Sequence, residues 1–496
     1  MEADEQSQSI GAKPEVPGQR RSALSVLVVA LTWILPLAGG LYMRLAMLKR
    51  LFQVSVDSQI YGGLGKALLA GGYGLDVVGA SISPTLIRLP GYPLYLALCF
   101  RLFGMENYFA ATLPQIALEL LGCLLLADFA GQIAPPKLKR GASIVTLWLA
   151  ALCPFTASYA VVPLTEALTL FSIALALWAM ARFCRRPGWA TALAFTLAVT
   201  YAALLRPDGI LVAAALVPAI LFAFFFKCEV RLVAAKKLVS ITIVCTLLAL
   251  TPFAAWTLRN WRDFHVFEPL APRYATDPGE SVFPGWQRWV KTWCLDFTCT
   301  YNVYWEVPGD PLVLSALPAR AFDSPAEYAE ITAIAADYNN RDNASYISPD
   351  VDERLGVLAA ERIGAHPLRY YVWLPLGRVA DMWMRPRVEN LNIDLDWWVY
   401  SRHRSETRFS WAYVALNAIY LLLGLVGFWL RPRFRWAMLA YMLLRSAMLA
   451  TVEAPEARYT LEAFPMLFAL GGVGLYWLVN CVCLSVLKVK ASDGSR

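Results

Sequence analysis

The stretch VDSQIYGGLGKALLAGGYG, residues 56–74, and the stretch TLIRLPGYPLYLA, residues 85–97, decide how this chain is read. Both are polar or Gly-rich, Pro90 and Pro93 mark the second, and long apolar runs flank them. Ile60, Leu64 and Leu68 recur every four residues, so 57–70 reads as a helix lying on a surface. Asp57 and Tyr61 are also four apart and share a helix face. A polar loop between apolar runs is where charged chemistry can sit beside a membrane.

The rest of the chain makes that membrane necessary. Hydrophobic residues are 58% of 496 and charged residues 16%. Soluble domains carry about 25% charged residues. Runs of roughly 20 apolar residues recur, each long enough to cross a bilayer core of about 30 Å. The fold class is therefore an all-α polytopic membrane bundle of about 10–12 helices, with surface-lying helices in the first outer loop and a small extracytoplasmic lobe. Candidate spans are 22–43, 90–104, 107–131, 142–157, 163–183, 188–205, 209–226, 238–256, 409–430, 435–451 and 462–484. The segment 142–157 is short and ends at Cys153-Pro154, which suggests a broken helix.

Basic clusters set the orientation. Arg20-Arg21, Arg182/Arg185/Arg186, Lys227/Arg231/Lys236/Lys237, Arg431/Arg433/Arg435 and Lys488/Lys490 all follow the positive-inside rule if both termini are cytoplasmic. Lys137, Lys139 and Arg140 disagree: they lie outside if 107–131 is a simple span, and placing them inside requires an extra crossing hidden between 90 and 165. The domains expected are a disordered cytoplasmic tail at 1–21, a transmembrane catalytic module at 22–256 that includes the outer loop 44–89, an outer lobe at 257–408, C-terminal helices at 409–484 and a cytoplasmic tail at 485–496. Within the lobe, 324–338 reads as an amphipathic helix opened by Ser324-Pro325, and 367–384 as interfacial. Cys294 and Cys299 lie in the lobe, where an exported compartment permits a disulfide; two reduced thiols fit the spacing equally well.

The net charge of +7 comes from clusters beside apolar runs, not from a basic face, so no nucleic-acid partner is expected. No Walker, HExxH or GxSxG pattern occurs, which removes P-loop NTPases, zincins and serine hydrolases of those types. Three histidines argue against a His-rich metal site. Asp394-Leu395-Asp396 has the spacing of a metal-binding pair, but a solvated loop framed by Trp397, Trp398 and Tyr400 is the favoured reading. Asn343 to Ser345 form a glycosylation sequon.

Several polar residues converge on the outer side. Asp57 can act as a general base or as a helix N-cap. Arg88, before Pro90, can clamp a phosphate or snorkel to headgroups. Glu166 lies close to hydrocarbon, where an acid is expensive and functional by default. Arg206 with Asp208, Arg259 with Arg262, and Glu456 with Arg458 and Tyr459 complete the set.

These motifs in this order, with R-L-P-G-Y-P after an early Asp, then P-L-T-E, L-R-P-D-G, R-N-W-R and E-A-R-Y, resemble the GT-C integral-membrane glycosyltransferases. Within them the closest likeness is to bacterial relatives of protein O-mannosyltransferases and of the lipid A aminoarabinose transferase. The resemblance covers roughly 22–484. It implies inverting transfer of a sugar from a polyprenyl-phosphate donor to a lipid, glycan or protein acceptor, on the periplasmic side of a bacterial inner membrane. It implies Asp57 as catalytic base and Glu166 on the acceptor side. Arg88, Arg259, Arg458 and Tyr459 would face the donor phosphate, and Tyr61, Tyr92 and Arg206 would line the pocket. Some relatives carry a second acidic residue in the first loop and need a metal; this loop has Asp57 alone, with Asp76 far downstream, so no metal or other cofactor is expected. A transporter or lipid-linked-sugar flippase is the rival class, with Glu119 and Arg445 as its candidate intramembrane charges.

Overall fold

The computed structural model describes residues 23–76, 82–227, 232–340 and 346–493. The expected tail at 1–21 and the sequon lie outside them. Helix α1 (Ala23–Leu51) leads to α2 (Val56–Leu69), a two-stranded ribbon of β1 (Gly74–Asp76) and β2 (Ile82–Pro84), and α3 (Gly91–Phe103). The bundle continues with α4 (Tyr108–Ile133), α5 (Lys139–Ala151), α6 (Pro154–Ala160), α7 (Glu166–Arg185), α8 (Trp189–Leu205), α9 (Ile210–Lys227) and α10 (Leu232–Phe264). A lobe follows with α11 (Pro284–Lys291), α12 (Phe297–Cys299), α13 (Pro325–Asn339), α14 (Pro349–Ala365) and α15 (Leu374–Met384). The chain returns to the bundle in α16 (Arg404–Trp429), α17 (Arg435–Leu449) and α18 (Phe464–Asp493).

Among the described residues, seven helices are long and apolar enough to cross a membrane. The α5–α6 pair, bent by 53° at Leu152-Cys153, would make an eighth, and α3 and α8 are shorter apolar helices. Pro154 opens α6 at its first turn, so the break expected in 142–157 falls where the missing N–H is tolerated.

The expected span 90–104 is corrected by its packing. Its helix, α3, runs along α2: Lys66 Nζ reaches Glu106 Oε1 at 2.5 Å, and Tyr108 packs against Gly62. The chain therefore leaves α3 beside α2, and at 13 residues α3 is not among the helices long enough to cross. Hydropathy cannot separate a 13-residue hairpin arm from a short span. With α3 removed, Lys139 and Arg140 fall beside Arg185 and Arg433 at one end of the bundle, and Arg433 N–H donates to Ile133 O at 3.0 Å. The charge conflict at 137–140 disappears. The lower end of the expected 10–12 helices is then reached only if the broken pair, α8 and the 15-residue α17 also cross.

The bundle core is apolar, with Phe129, Leu147, Met180, Tyr441 and Phe464 all buried. Helices α16 and α18 close on a seam of small residues; a Cβ on Gly427 would lie 1.9 Å from Leu470 O. That close approach replaces the hydrophobic drive that lipid removes. One ion pair sits inside this apolar region. Arg44 on α1 donates Nε and Nη2 to both Glu119 oxygens on α4, at 2.6 and 2.7 Å, and Nη1 to Ala151 O at 2.6 Å. Both side chains are buried, so each charge has only the other to balance it.

The lobe has its own core around Trp286, Trp289 and Trp293, closed by a Cys294–Cys299 disulfide. Ser324 caps α13 by accepting from Glu327 N–H at 3.1 Å, and Glu327 in turn accepts from Asp323 N–H at 2.8 Å. The segment expected to be interfacial, 367–384, is only partly so: Arg378 is fully buried and donates Nε to Cys294 O at 2.8 Å, while Tyr371 and Trp373 stay exposed.

Removing one partner of the Arg44–Glu119 pair strands the other in a low dielectric. Glu119→Ala is expected to destabilise the purified protein by about 3–5 kcal/mol, and Arg44→Met with Glu119→Leu to recover most of it. Thermal unfolding in detergent distinguishes the two; equal stability of single and double variants would refute the pairing.

Candidate active site

A cavity of about 420 Å³ opens at the end of the bundle where α1 finishes and α7 begins. Asp57, Arg88, Glu166, Arg206, Arg458 and Tyr459 line it, joined by Tyr61. Each comes from a helix end or a tight link. Asp57 is in the first turn of α2, Glu166 opens α7, and Arg206 ends α8. Arg458 and Tyr459 lie in the 3₁₀ turns Ala457–Ala463 that precede α18. The α8–α9 link is a single turn, Pro207–Gly209, packed so closely that a Cβ on Gly209 would lie 2.1 Å from Ala202 O. That tightness is what aims Arg206 and Asp208 together into the cavity.

Ser55, not Asp57, is the N-cap of α2, accepting from Ser58 N–H at 3.2 Å. The Asp57 carboxylate is thus not used by its own helix. Oδ1 accepts from Arg88 Nη2 at 3.0 Å, and Oδ2 lies 3.6 Å from Arg458 Nη2. Burial pushes this carboxyl up, but the Arg458 and Arg88 charges outweigh it and hold it below the usual carboxylate range. Arg458 also lies 3.8 Å from Glu166 Oε1 and 2.6 Å from Glu456 Oε2. One guanidinium therefore stands between the two candidate acids. Glu166 is 2% exposed; its Oε1 is 3.5 Å from Arg206 Nη1, and its Oε2 is buried without a hydrogen-bond partner among the described residues.

Behind this front row is a second layer, in which Arg445 and Glu462 are fully buried and Arg206 and Asp208 still reach the cavity. Arg206 Nε lies 3.2 Å from Glu462 Oε1 and 3.4 Å from Asp208 Oδ1. Arg445 bridges the same two acids, 2.6 Å from Glu462 Oε2 and 3.1 Å from Asp208 Oδ2, and donates Nε to Tyr459 O at 2.6 Å. Arg206 stacks over the Tyr459 ring, 5.2 Å from its centre. Arg445 and Glu119, the charges that would suit a transporter, are thus both committed to fixed partners.

Two expected residues are placed elsewhere. Arg259 does not line the cavity: it donates to Thr85 O and Tyr73 O, both at 2.7 Å, and its Nε lies 2.9 Å from Asp263. Its role here is to tie α10 to the first loop. Tyr92 is buried behind Tyr61, edge-to-face at 5.2 Å, and donates its hydroxyl to Gln115. Asp394 and Asp396 are also outside this cavity.

Sequence reasoning missed Glu462 and Arg273 from this region. Glu462 carries no signal beyond being an acid in an apolar run, which by itself marks it as a candidate. Arg273 lies in the lobe and reaches the cavity only through folding. Glu389, near Glu456 and Arg387, was also unmarked; burial pushes it up to about 7.

Asp57 carries a folded-state shift downward, so it adds stability above about pH 4, and that stability is lost as pH falls through its lowered value. Asp57→Asn is expected to cost about 1 kcal/mol at pH 7, discounted for partial exposure, with the difference from wild type closing below about pH 4. Thermal melts across that range test it; a difference that grows toward acid would reverse the sign.

Three comparisons bear on this geometry. The profile of the dolichyl-phosphate-mannose-protein mannosyltransferase family matches residues 87–256. No curated protein matches the chain in sequence. Among solved structures, ArnT from Cupriavidus metallidurans bound to undecaprenyl phosphate aligns at 15% identity and a TM-score of 0.36, covering 90% of this chain and 78% of that one. The apo form of the same protein aligns at 17% identity and a TM-score of 0.35, covering 90% and 77%. The matched stretch 87–256 holds Arg88, Glu166 and Arg206, and over it the chain is similar to the dolichyl-phosphate-mannose-protein mannosyltransferases.

Proposed function

We propose that the chain is a membrane glycosyltransferase that moves a sugar from a polyprenyl-phosphate donor to a hydroxyl or amine of a lipid, glycan or protein acceptor. The observation that carries this reading is the pairing of Asp57 with Arg88 and Arg458 inside a cavity at the bundle end. Arginines that hold a carboxylate at rest are suited to hold a phosphate in turn. A donor phosphate arriving at Arg88 and Arg458 competes with Asp57 for them. The released carboxylate then has its proton affinity restored as the acceptor arrives.

The transfer follows from those positions. Asp57 takes the proton from the acceptor as its oxygen or nitrogen attacks the anomeric carbon. The bond from that carbon to the phosphate oxygen breaks, and the polyprenyl phosphate leaves with the electron pair. Arg88 and Arg458 receive the charge that develops there. Attack opposite the leaving phosphate inverts the anomeric centre, whether the sugar is a hexose or a pentose. Glu166 binds the acceptor side, and Arg206 and Tyr459 hold the wall in register. The site faces the periplasm of a bacterial inner membrane in this reading, since Lys139, Arg140, Arg185 and Arg433 lie together at the other end of the bundle.

In a strain lacking the protein, carrier-linked sugar is expected to accumulate while one envelope modification disappears, both read by mass spectrometry of lipid and glycan extracts. Wild type restores the modification. Asp57→Asn is expected to lose at least about a hundredfold in transfer rate, the scale of a general-base contribution. It should keep its expression level and its capacity to bind the accumulated lipid. Full transfer by Asp57→Asn would remove the base from this mechanism.

A further inference from the structure

Away from that cavity, the segment between α15 and α16 folds back on the first turn of α16 and gathers three kinds of metal-ligating group. One ligand atom each from Asp394, His403 and Glu406 lies within 4.8 Å of the others. His403 Nε2 is 3.3 Å from Asp394 Oδ2 and 3.2 Å from Asp396 Oδ1, while its Nδ1 is 3.8 Å from Glu406 Oε2. The imidazole is 11% exposed, and its Nε2 is buried without a hydrogen-bond partner among the described residues. The nitrogen is thus beside two carboxylates yet aimed squarely at neither. A cation between them would satisfy all three groups.

Charge points the same way. Three carboxylates surround one imidazole, and the cation paired with them is Arg402, 3.0 Å from the far oxygen of Asp396. Even a protonated His403 leaves the cluster net negative. The scaffold is already organised: Asp394 N–H donates to Glu406 Oε2 at 3.1 Å, and Thr407 Oγ1 donates to Trp397 O. Asp394 and Asp396 already stand from Nε2 at the spacing of ligands that share one cation, and Glu406, 3.8 Å from Nδ1, has to swing toward Nε2 to join them. An imidazole nitrogen among carboxylates suits Zn²⁺ or Mn²⁺ better than Mg²⁺ or Ca²⁺.

We propose that Asp394, His403 and Glu406, with Asp396 alongside, form a divalent-cation site that pins the 394–403 turn to the start of α16. The site is structural and does not touch the reacting groups, so it stands whether or not the transferase reading does. It also revises the favoured reading of Asp394-Leu395-Asp396 as a solvated loop.

The test uses tag-free, full-length protein in detergent, stripped with EDTA and dialysed against Zn²⁺. Wild type is expected to hold one zinc per chain more than His403→Ala, and its melting temperature should rise with zinc while that of His403→Ala does not. Asp394→Asn, a milder change, should bind at least tenfold more weakly; it decides the matter if His403→Ala does not elute as a single species. The proposal is overturned if wild type takes up no zinc, or if both variants bind as tightly as wild type. In either case the cluster is a histidine solvated by carboxylates.

Discussion

The cavity depends on one requirement: charge taken out of water in an apolar bundle must be answered at contact distance. Arg206 and Arg445 share Asp208 and Glu462, and that buried square joins the α8–α9 link, α17 and the turns before α18. Desolvating such ions costs several kcal/mol each, and their mutual attraction offsets this only when the geometry is held tightly. The square therefore fixes three distant stretches of chain against each other. Arg458, two residues beyond Glu456 and four before Glu462, inherits that rigidity and presents its guanidinium to Asp57 and Glu166. The functional front row is positioned by the buried row behind it.

In the proposed transfer, Asp57 has to coexist with arginines that would blunt it as a base. At rest, Arg88 and Arg458 keep the carboxylate ionised and occupied. A bare carboxylate beside a bound sugar donor could activate water instead of the acceptor. A carboxylate that is freed only when a phosphate displaces it is active only when the donor is present. In that proposal the same two arginines serve both the resting and the loaded site.

Much of this was legible before folding, and what was not has a physical cause. Asp57, Arg88, Glu166, Arg206 and Arg458 stood out because each is a charge or polar residue at the edge of an apolar run, where it is expensive. Arg259 stood out for the same reason, yet it ties α10 to the first loop, since hydropathy shows cost but not direction. α3 looked like a crossing because a mostly apolar helix of thirteen residues is ambiguous between a short span and a hairpin arm. Only its contacts with α2 separate the two. Arg273 was invisible because it reaches the cavity from the lobe, through a path no local pattern records. The disulfide was open on sequence because spacing alone does not place two thiols; the wall of tryptophans around Cys294 does.

The Arg44–Glu119 pair carries a consequence for how the protein is made. Its partners are 75 residues apart, and the arginine is translated first. When α1 leaves the ribosome its only counter-charge has not yet been synthesised. An unpaired arginine in a membrane helix costs about 2.5–3.5 kcal/mol on insertion scales. α1 is also the least apolar of the seven long candidate spans, with a mean hydropathy of 1.4. The first helix is thus suited to wait at the insertion machinery until α4 emerges, and to enter the bilayer as half of a pair. Assembly of this bundle would then begin with a two-helix unit joined by charge, with the α2–α3 hairpin left behind on the surface as the loop between them.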